Sequence, residues 1–425
     1  MPPALQKKSL AIIGAGWAGF PITQEANLSL YNITVISPVR TIQYTPLLAS
    51  AACGLFDFRL AEEPIRRRGR SQLTYYKATA ESVDFKKKTI RCRHAVEDLA
   101  RGKGKTFTVK YDRLVIAPGC EVQTFDTPGA MEHALFLRTT NDARLLQQRL
   151  LQMLDAASLP GLSEKTQREL LHIRIVGGGA IGIEATAELH DLWEEEMQHL
   201  YPHLAGKLQL TIHDVASQVL STFDESLSEY AMESMQRKDV ELKTESHIER
   251  VEEDAIYTKE DGRLPYGMLL WATGNKPNAL LEALDVKKPE KGMPRILTDR
   301  RLRVLRPDGE PHPDVFAAGD AADIEDYSLP MLAEAALQKG EYLVRELNRA
   351  EAGFQNQFDY KQAATLAYLG QRDGVFGGRT EWTGSSAWLA WRSGSLGWTR
   401  SWRRKVWILY SWFWVWAHGR DIARK

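Results

Sequence analysis

An α/β fold of two Rossmann-like dinucleotide-binding units, the first split by insertion of the second, is predicted by three features of this 425-residue sequence. The stretch SLAIIGAGWAGF sets Gly14, Gly16 and Gly19 behind an apolar strand at 9–13, and HIRIVGGGAIGIEATAEL sets Gly177, Gly179 and Gly182 behind a second strand at 173–176. The third feature, HPDVFAAGDAAD, reads as a strand at 315–318 that ends in Gly319 and Asp320. A C-terminal membrane-associating segment, crowded with aromatic residues, completes the plan.

In a G-x-G-x-x-G turn the first glycine permits the bend, the second lets backbone approach a pyrophosphate, and the third lets helix and strand pack closely. One such turn is weak evidence, because glycines also serve as plain turn residues. Two, each between strand and helix, point to two bound dinucleotides. An acid at the end of the following strand accepts hydrogen bonds from an adenosine ribose. The second unit has LQLTIHD ending in Asp214, which favours NADH over NADPH because a 2′-phosphate would meet a carboxylate. The first has NITVISP, where Ser37 offers a single weaker contact. Gly-Asp at the end of a strand is an ordinary turn, but in flavoproteins with two dinucleotide units it closes the FAD site from the far side of the sequence. Gly319 and Asp320 are therefore assigned to FAD. YDRLVIAPG and GMLLWATG, which ends in Gly274, read as buried strands where the chain crosses between units. The expected boundaries are 1–140 and 281–358 for FAD, 141–280 for NADH and 359–425 for a membrane-anchoring or dimerisation region. Residues 156–168 read as a loop.

Bulk properties exclude other classes. Lys plus Arg and Asp plus Glu balance at 55 each, so no basic field draws the chain to nucleic acid. Cys53, Cys92 and Cys120 form no C-x-x-C or C-x₄-C pair, which removes a dithiol route, an iron–sulfur cluster and a disulfide framework. No metal site is expected. MPPALQKK carries no secretory or Arg-rich targeting signal. No apolar run is long enough to span a bilayer as a helix.

ISPVRTIQYTPLLAS, GGGAIGIEATAEL, PYGMLLWATGNKP, VFAAGDAAD with LPMLAEAALQKGEYL, and the late LAYLG, AWLAWRS and GRDI occur in an order that resembles the type II NADH:quinone oxidoreductases. They are most similar to fungal mitochondrial alternative NADH dehydrogenases. The resemblance implies a flavoenzyme, peripheral to the mitochondrial inner membrane, that passes electrons from NADH through FAD to ubiquinone without pumping protons. It also implies that Thr45 lines the flavin and that Glu184 lies beside the nicotinamide. Glu184 falls on the first turn of the expected helix, where dipole stabilisation alone would also favour an acid. The family's A-Q-x-A-x-Q motif appears as AEAALQ, so Gln338 is retained and Glu334 replaces the first glutamine as a quinone contact. Residues 332–347 also read as a plain docking helix.

Nine of the twelve tryptophans lie between Trp382 and Trp416, and WRRKVWILYSWFWVWAH brackets aromatic residues with Arg403, Arg404 and Lys405. Trp and Tyr favour the headgroup layer, and the cations suit anionic lipid. The tail reads as an interfacial anchor; a helix packed on the core or on a second subunit of a homodimer is the alternative. Two rival functions remain: a soluble reductase or oxidase using Cys53 as its redox thiol, and a flavoprotein of the apoptosis-inducing-factor type with an NADH-sensing or binding role.

Overall fold

A computed structural model of the chain describes residues 6–70, 72–96, 104–221, 223–349, 354–362, 365–378, 380–420 and 422. Its contacts divide them into two compact units. One holds the described residues up to Ile42 with 63–121 and 275–362; the other holds 43–62, 122–274 and the described residues after 362.

In the first unit the strands Pro311–Ala317, Arg113–Ile116, Lys8–Ile13, Tyr31–Ser37 and Thr74–Asp84 run parallel, side by side in that order. Leu10, Ile12, Leu114, Val115 and Phe316 are wholly buried, the pattern of a sheet covered on both faces. Pairing of Pro311–Ala317 with Arg113–Ile116 is what makes this unit discontinuous in sequence. The helix Ala333–Asn348 packs on the helix Gly19–Glu25. Close approach there depends on Gly340, where an added Cβ would lie 2.3 Å from the Ala18 carbonyl oxygen.

The second unit is built on a parallel sheet ordered Val240–Lys243, Gln209–His213, His172–Val176 and Met268–Trp271. The helix Ala180–Leu192 follows the glycine turn and continues into a π-helical segment, Trp193–Met197. Two late elements pack against the rest of this unit: an antiparallel ladder of Thr365–Gly370, Asp373–Gly377 and Trp382–Thr383, and the helix Ser385–Trp398. The C-terminal region therefore clusters with 122–274 rather than standing apart. Segment 43–62 does the same, because its helix Leu48–Ala52 packs on the helices Thr140–Ala157 and Ala180–Leu192.

The loop expected over 156–168 is shorter in the structure. Thr140–Ala157 is helical behind a Thr139/Asp142 capping box, and Ser163 caps a further helix, Glu164–Leu170. Arg168 pairs with Glu164 one turn earlier at 2.9 Å, a charge pattern that reading turn residues alone overlooks.

Gly340→Ala should destabilise the first unit by about 2 kcal/mol, since the clash is with backbone rather than a movable side chain. Gly397→Ala, in the helix Ser385–Trp398 with nothing within 4 Å of its Cβ, should raise the melting temperature slightly. Thermal unfolding of the two variants checks the pair.

Candidate active site

The two glycine turns are built alike. Gly14 (φ +87°) and Gly177 (φ +108°) sit where a Cβ would strike the Ala117 and Ala272 carbonyls at 2.0 and 2.7 Å. A Cβ at Gly19 or Gly182 would meet the carbonyl of the first glycine of its own turn, at 2.1 and 2.0 Å. At the middle positions, Gly16 and Gly179, a Cβ would meet nothing within 4 Å. The outer glycines are thus demanded by packing, while each middle one leaves room where backbone could approach a pyrophosphate. The donor chemistry of both turns fits a dinucleotide.

Asp214 follows the strand Gln209–His213 and folds back on the second turn: its carboxylate accepts from Gly178 N at 2.6 Å and from Ala216 N at 2.8 Å. This holds the acid beside the glycine turn with lone pairs left for a ribose. Gly274, at the end of GMLLWATG and expected from the sequence to let backbone approach NADH, is exposed. In the first unit Ser37 is buried at the end of Tyr31–Ser37, and its hydroxyl donates to the Val39 carbonyl at 3.1 Å. Gly319 (φ +76°) and Asp320 follow the neighbouring strand Pro311–Ala317, and the Cys120 thiol lies 3.3 Å from the Asp320 carboxylate. Arg295 donates to the Asp320 and Ala322 carbonyls, and Lys339 to the latter, fixing this turn from behind. Sequence reading missed both cations; their enclosure is a tertiary property. Thr45, in the short turn Thr45–Leu47, belongs to the other compact unit from the remaining FAD candidates.

Glu334 and Gln338 share one face of the helix Ala333–Asn348, joined by a 2.7 Å hydrogen bond from the Gln338 amide to the Glu334 carboxylate. Gln338 also clasps the backbone of Lys361 through both its amide nitrogen and oxygen. Retained for a ligand or not, it holds chain to chain here.

The densest chemistry of the second unit lies along Ala180–Leu192 and the turn beyond it. Glu184, Glu188, Asp191 and Glu195 recur at intervals of three and four, one face of a helix. Glu184 stands on the second turn rather than the first, which holds no acid, so the helix dipole is not what holds it. Instead Trp391 Nε1 donates to its Oε1 at 2.8 Å and Tyr368 N at 3.4 Å. Glu184 keeps some accessible surface, yet protein crowds its carboxylate, and this desolvation outweighs the two donors and pushes its pKa up to about 8. Glu188 accepts from Ser50 Oγ at 2.6 Å and pairs with Arg420 at 3.3 Å. Asp191 accepts from the Tyr368 hydroxyl and from Gln371 N. Glu195 takes two donors from Arg420, at 2.8 and 3.0 Å, and Glu196 accepts from Arg420 N. None of these partners was legible in the sequence, since they come from near 50, 370, 391 and 420.

Cys53 is fully buried, and burial, reinforced by the negative charge of Glu188, pushes its thiol well above the ordinary range. A thiol so held is a poor nucleophile at neutral pH, which removes the physical basis for a Cys53 redox role.

Comparison with known proteins adds to this geometry. Residues 8–340 match the model of the pyridine nucleotide-disulphide oxidoreductases. A probable NADH dehydrogenase of Dictyostelium discoideum is 32% identical, aligned over 99% of this chain and 92% of its own length. The chain belongs to this family, in its alternative NADH dehydrogenase branch. Another relative in that branch is the mitochondrial internal alternative NAD(P)H-ubiquinone oxidoreductase A1 of Solanum tuberosum, 32% identical over 99% of this chain and 88% of its own. The fold is that of NDH2 from Plasmodium falciparum, solved in complex with NADH: TM-score 0.88 at 21% identity, covering 99% of this chain and all of that one. Alternative NADH dehydrogenases are thus the frame for the buried acid.

The pKa of Glu184 has a consequence for stability. An unfolded chain releases this proton near 4.5, while the native state keeps it up to about 8. Between those values the native state binds more protons, so this residue's contribution to stability falls as pH rises. Glu184→Gln keeps an oxygen for both donors and removes the charge. The variant should lose less melting temperature than the parent between about pH 5 and pH 8.5, which paired thermal scans measure.

Proposed function

We propose that the chain binds FAD on its first unit and NADH on its second and delivers two electrons to ubiquinone at a membrane surface, without moving protons across the membrane. The observation that carries this reading is the duplicated glycine turn, open at its middle position in each unit and accompanied by Asp214 in one and Asp320 in the other. FAD, when bound, supplies the hydride acceptor and the two-electron donor. Gly14, Gly16 and Gly19 approach its pyrophosphate, while Ser37, Gly319 and Asp320 make the remaining contacts from the same unit. Gly177, Gly179, Gly182 and Gly274 do the same for NADH, and Asp214 reads its ribose.

Reduction of quinone by NADH consumes one proton: NADH, H⁺ and quinone give NAD⁺ and quinol. Glu184 is the residue suited to hold that proton, because with a pKa near 8 it is protonated at neutral pH and can still release it. Glu334 and Gln338 are the proposed quinone contacts, with the exposed Met331 and Leu332 beside them offering apolar surface to a lipid-soluble substrate.

Membrane contact falls to the helix Trp402–His418, of which Ile408 is the one residue described as buried. Trp402, Phe413 and Trp416 are 77%, 60% and 75% exposed, and no helix among the described residues is long and apolar enough to cross a membrane. Arg403 is exposed, whereas Arg404 is half-buried within reach of the charge of Glu62. Relatives named as mitochondrial ubiquinone oxidoreductases support a peripheral place at the mitochondrial inner membrane.

Purified protein should be yellow and bleach when NADH is added without oxygen, and Asp214→Arg should narrow its preference for NADH over NADPH by about tenfold or more. A folded protein that takes up no FAD would end the proposal. Trp402→Ser with Phe413→Ser should leave bleaching intact and depress flotation with vesicles and turnover of long-chain quinone. These substitutions are better than removing the tail, which would also take away Arg420 and leave Glu188 buried and unpaired.

A further inference from the structure

Between the helices Ser385–Trp398 and Trp402–His418 lies a cavity of about 840 Å³, within the size range of small-molecule sites. Its walls are largely apolar, with Leu389, Leu396, Leu409 and Val415 among them. Two polar groups of its lining residues lack partners. Arg392 lies with its guanidinium carbon 4.0 Å from the centre of the Trp412 ring and makes no side-chain hydrogen bond or ion pair among the described residues. Trp412 Nε1 is buried and has no acceptor.

Of the acids that line the same cavity, Glu195 is paired with the Arg420 guanidinium, and Glu196 accepts from the Arg420 backbone N–H. Glu188 attracts Arg392 from a distance and is itself paired with Arg420. Arg372, exposed at the cavity and without an ion pair among the described residues, adds a second uncompensated cation. A desolvated guanidinium and an indole N–H left without acceptors are costly unless a ligand supplies oxygens.

We propose that this cavity binds one membrane glycerophospholipid, its phosphodiester on Arg392 and Trp412 Nε1 and the start of its acyl chains along the leucine wall. The chemistry selects this occupant in three ways. A guanidinium fork matches two phosphate oxygens. The bound group must only accept hydrogen bonds, since both unsatisfied groups are donors. The apolar walls adjoin a helix whose exposed Trp402, Trp407, Tyr410 and Trp414 suit the depth at which lipid phosphates lie. The lipid would thus be a built-in part of the contact proposed above for the tail, and the inference rests on that reading.

The test is native mass spectrometry of the full-length holoprotein titrated with dioleoylphosphatidylglycerol, alongside flotation with vesicles of the same lipid. One lipid per chain is expected. Arg392→Gln should weaken its retention about tenfold, the loss expected for a charged hydrogen bond. Trp412→Phe, which keeps an aromatic ring beside Arg392 and deletes the N–H, should weaken it several-fold and serves if the arginine variant fails to fold. Trp402→Ser with Phe413→Ser should reduce flotation yet keep the one-lipid adduct. Equal retention by the parent and Trp412→Phe would overturn the site. So would saturation by inorganic phosphate that lipid does not displace. Flotation without any lipid adduct would sink the inference alone; absence of both would sink the anchor as well.

Discussion

The burial of acids along one helix face constrains the second unit more than any other feature. A carboxylate removed from water is tolerated only when donors or a counter-charge replace the lost hydration. Glu184, Glu188 and Asp191 are enclosed on this face, with the exposed Glu195 one turn beyond them, and their donors are drawn from distant stretches: Ser50, Tyr368, Gln371, Trp391 and Arg420. The C-terminal ladder and its helices belong to the same compact unit for this reason. Arg420 is the strongest expression of the constraint. Burial works against its charge, yet Glu188 and Glu195 together overcome that and hold its pKa above the usual arginine value.

Much of the scaffold was legible in the sequence because it rests on local rules. Apolar strands ending in glycine, an acid after the next strand and a Gly-Asp at the end of a late strand are consecutive patterns, and the structure places strands at Lys8–Ile13, His172–Val176 and Pro311–Ala317 accordingly. The helix Ala333–Asn348 was equally plain. What stayed hidden depends on sequence separation. Nothing around Glu184 reveals that an indole 207 residues away donates to it. An acid near a helix start suggests dipole stabilisation; a one-turn shift and two specific donors replace that explanation. Cys53 illustrates the same limit: its position permitted a redox role, and only burial beside Glu188 decides its chemistry.

The aromatic tail shows how composition and placement divide the work. Its tryptophans raise the expectation of an interface, but composition says nothing of how the helix is oriented. Polar contacts set that orientation: Arg400 N approaches the Tyr44 hydroxyl at 3.4 Å before the helix, and Gly419 (φ +80°) turns the chain after it so that Arg420 enters the core. Ile422 then sits against Gly54, where a Cβ would come within 2.4 Å of it.

Fastening at both ends separates specification from exposure. Because contacts at both ends, together with the buried Ile408 and the Trp412 ring under Arg392, fix its rotation, outward rings such as Trp402 and Trp416 carry little duty to the fold. Substitution among those rings therefore changes what the surface presents without loosening the fold, so long as the arginine latch and its glycine hinge persist.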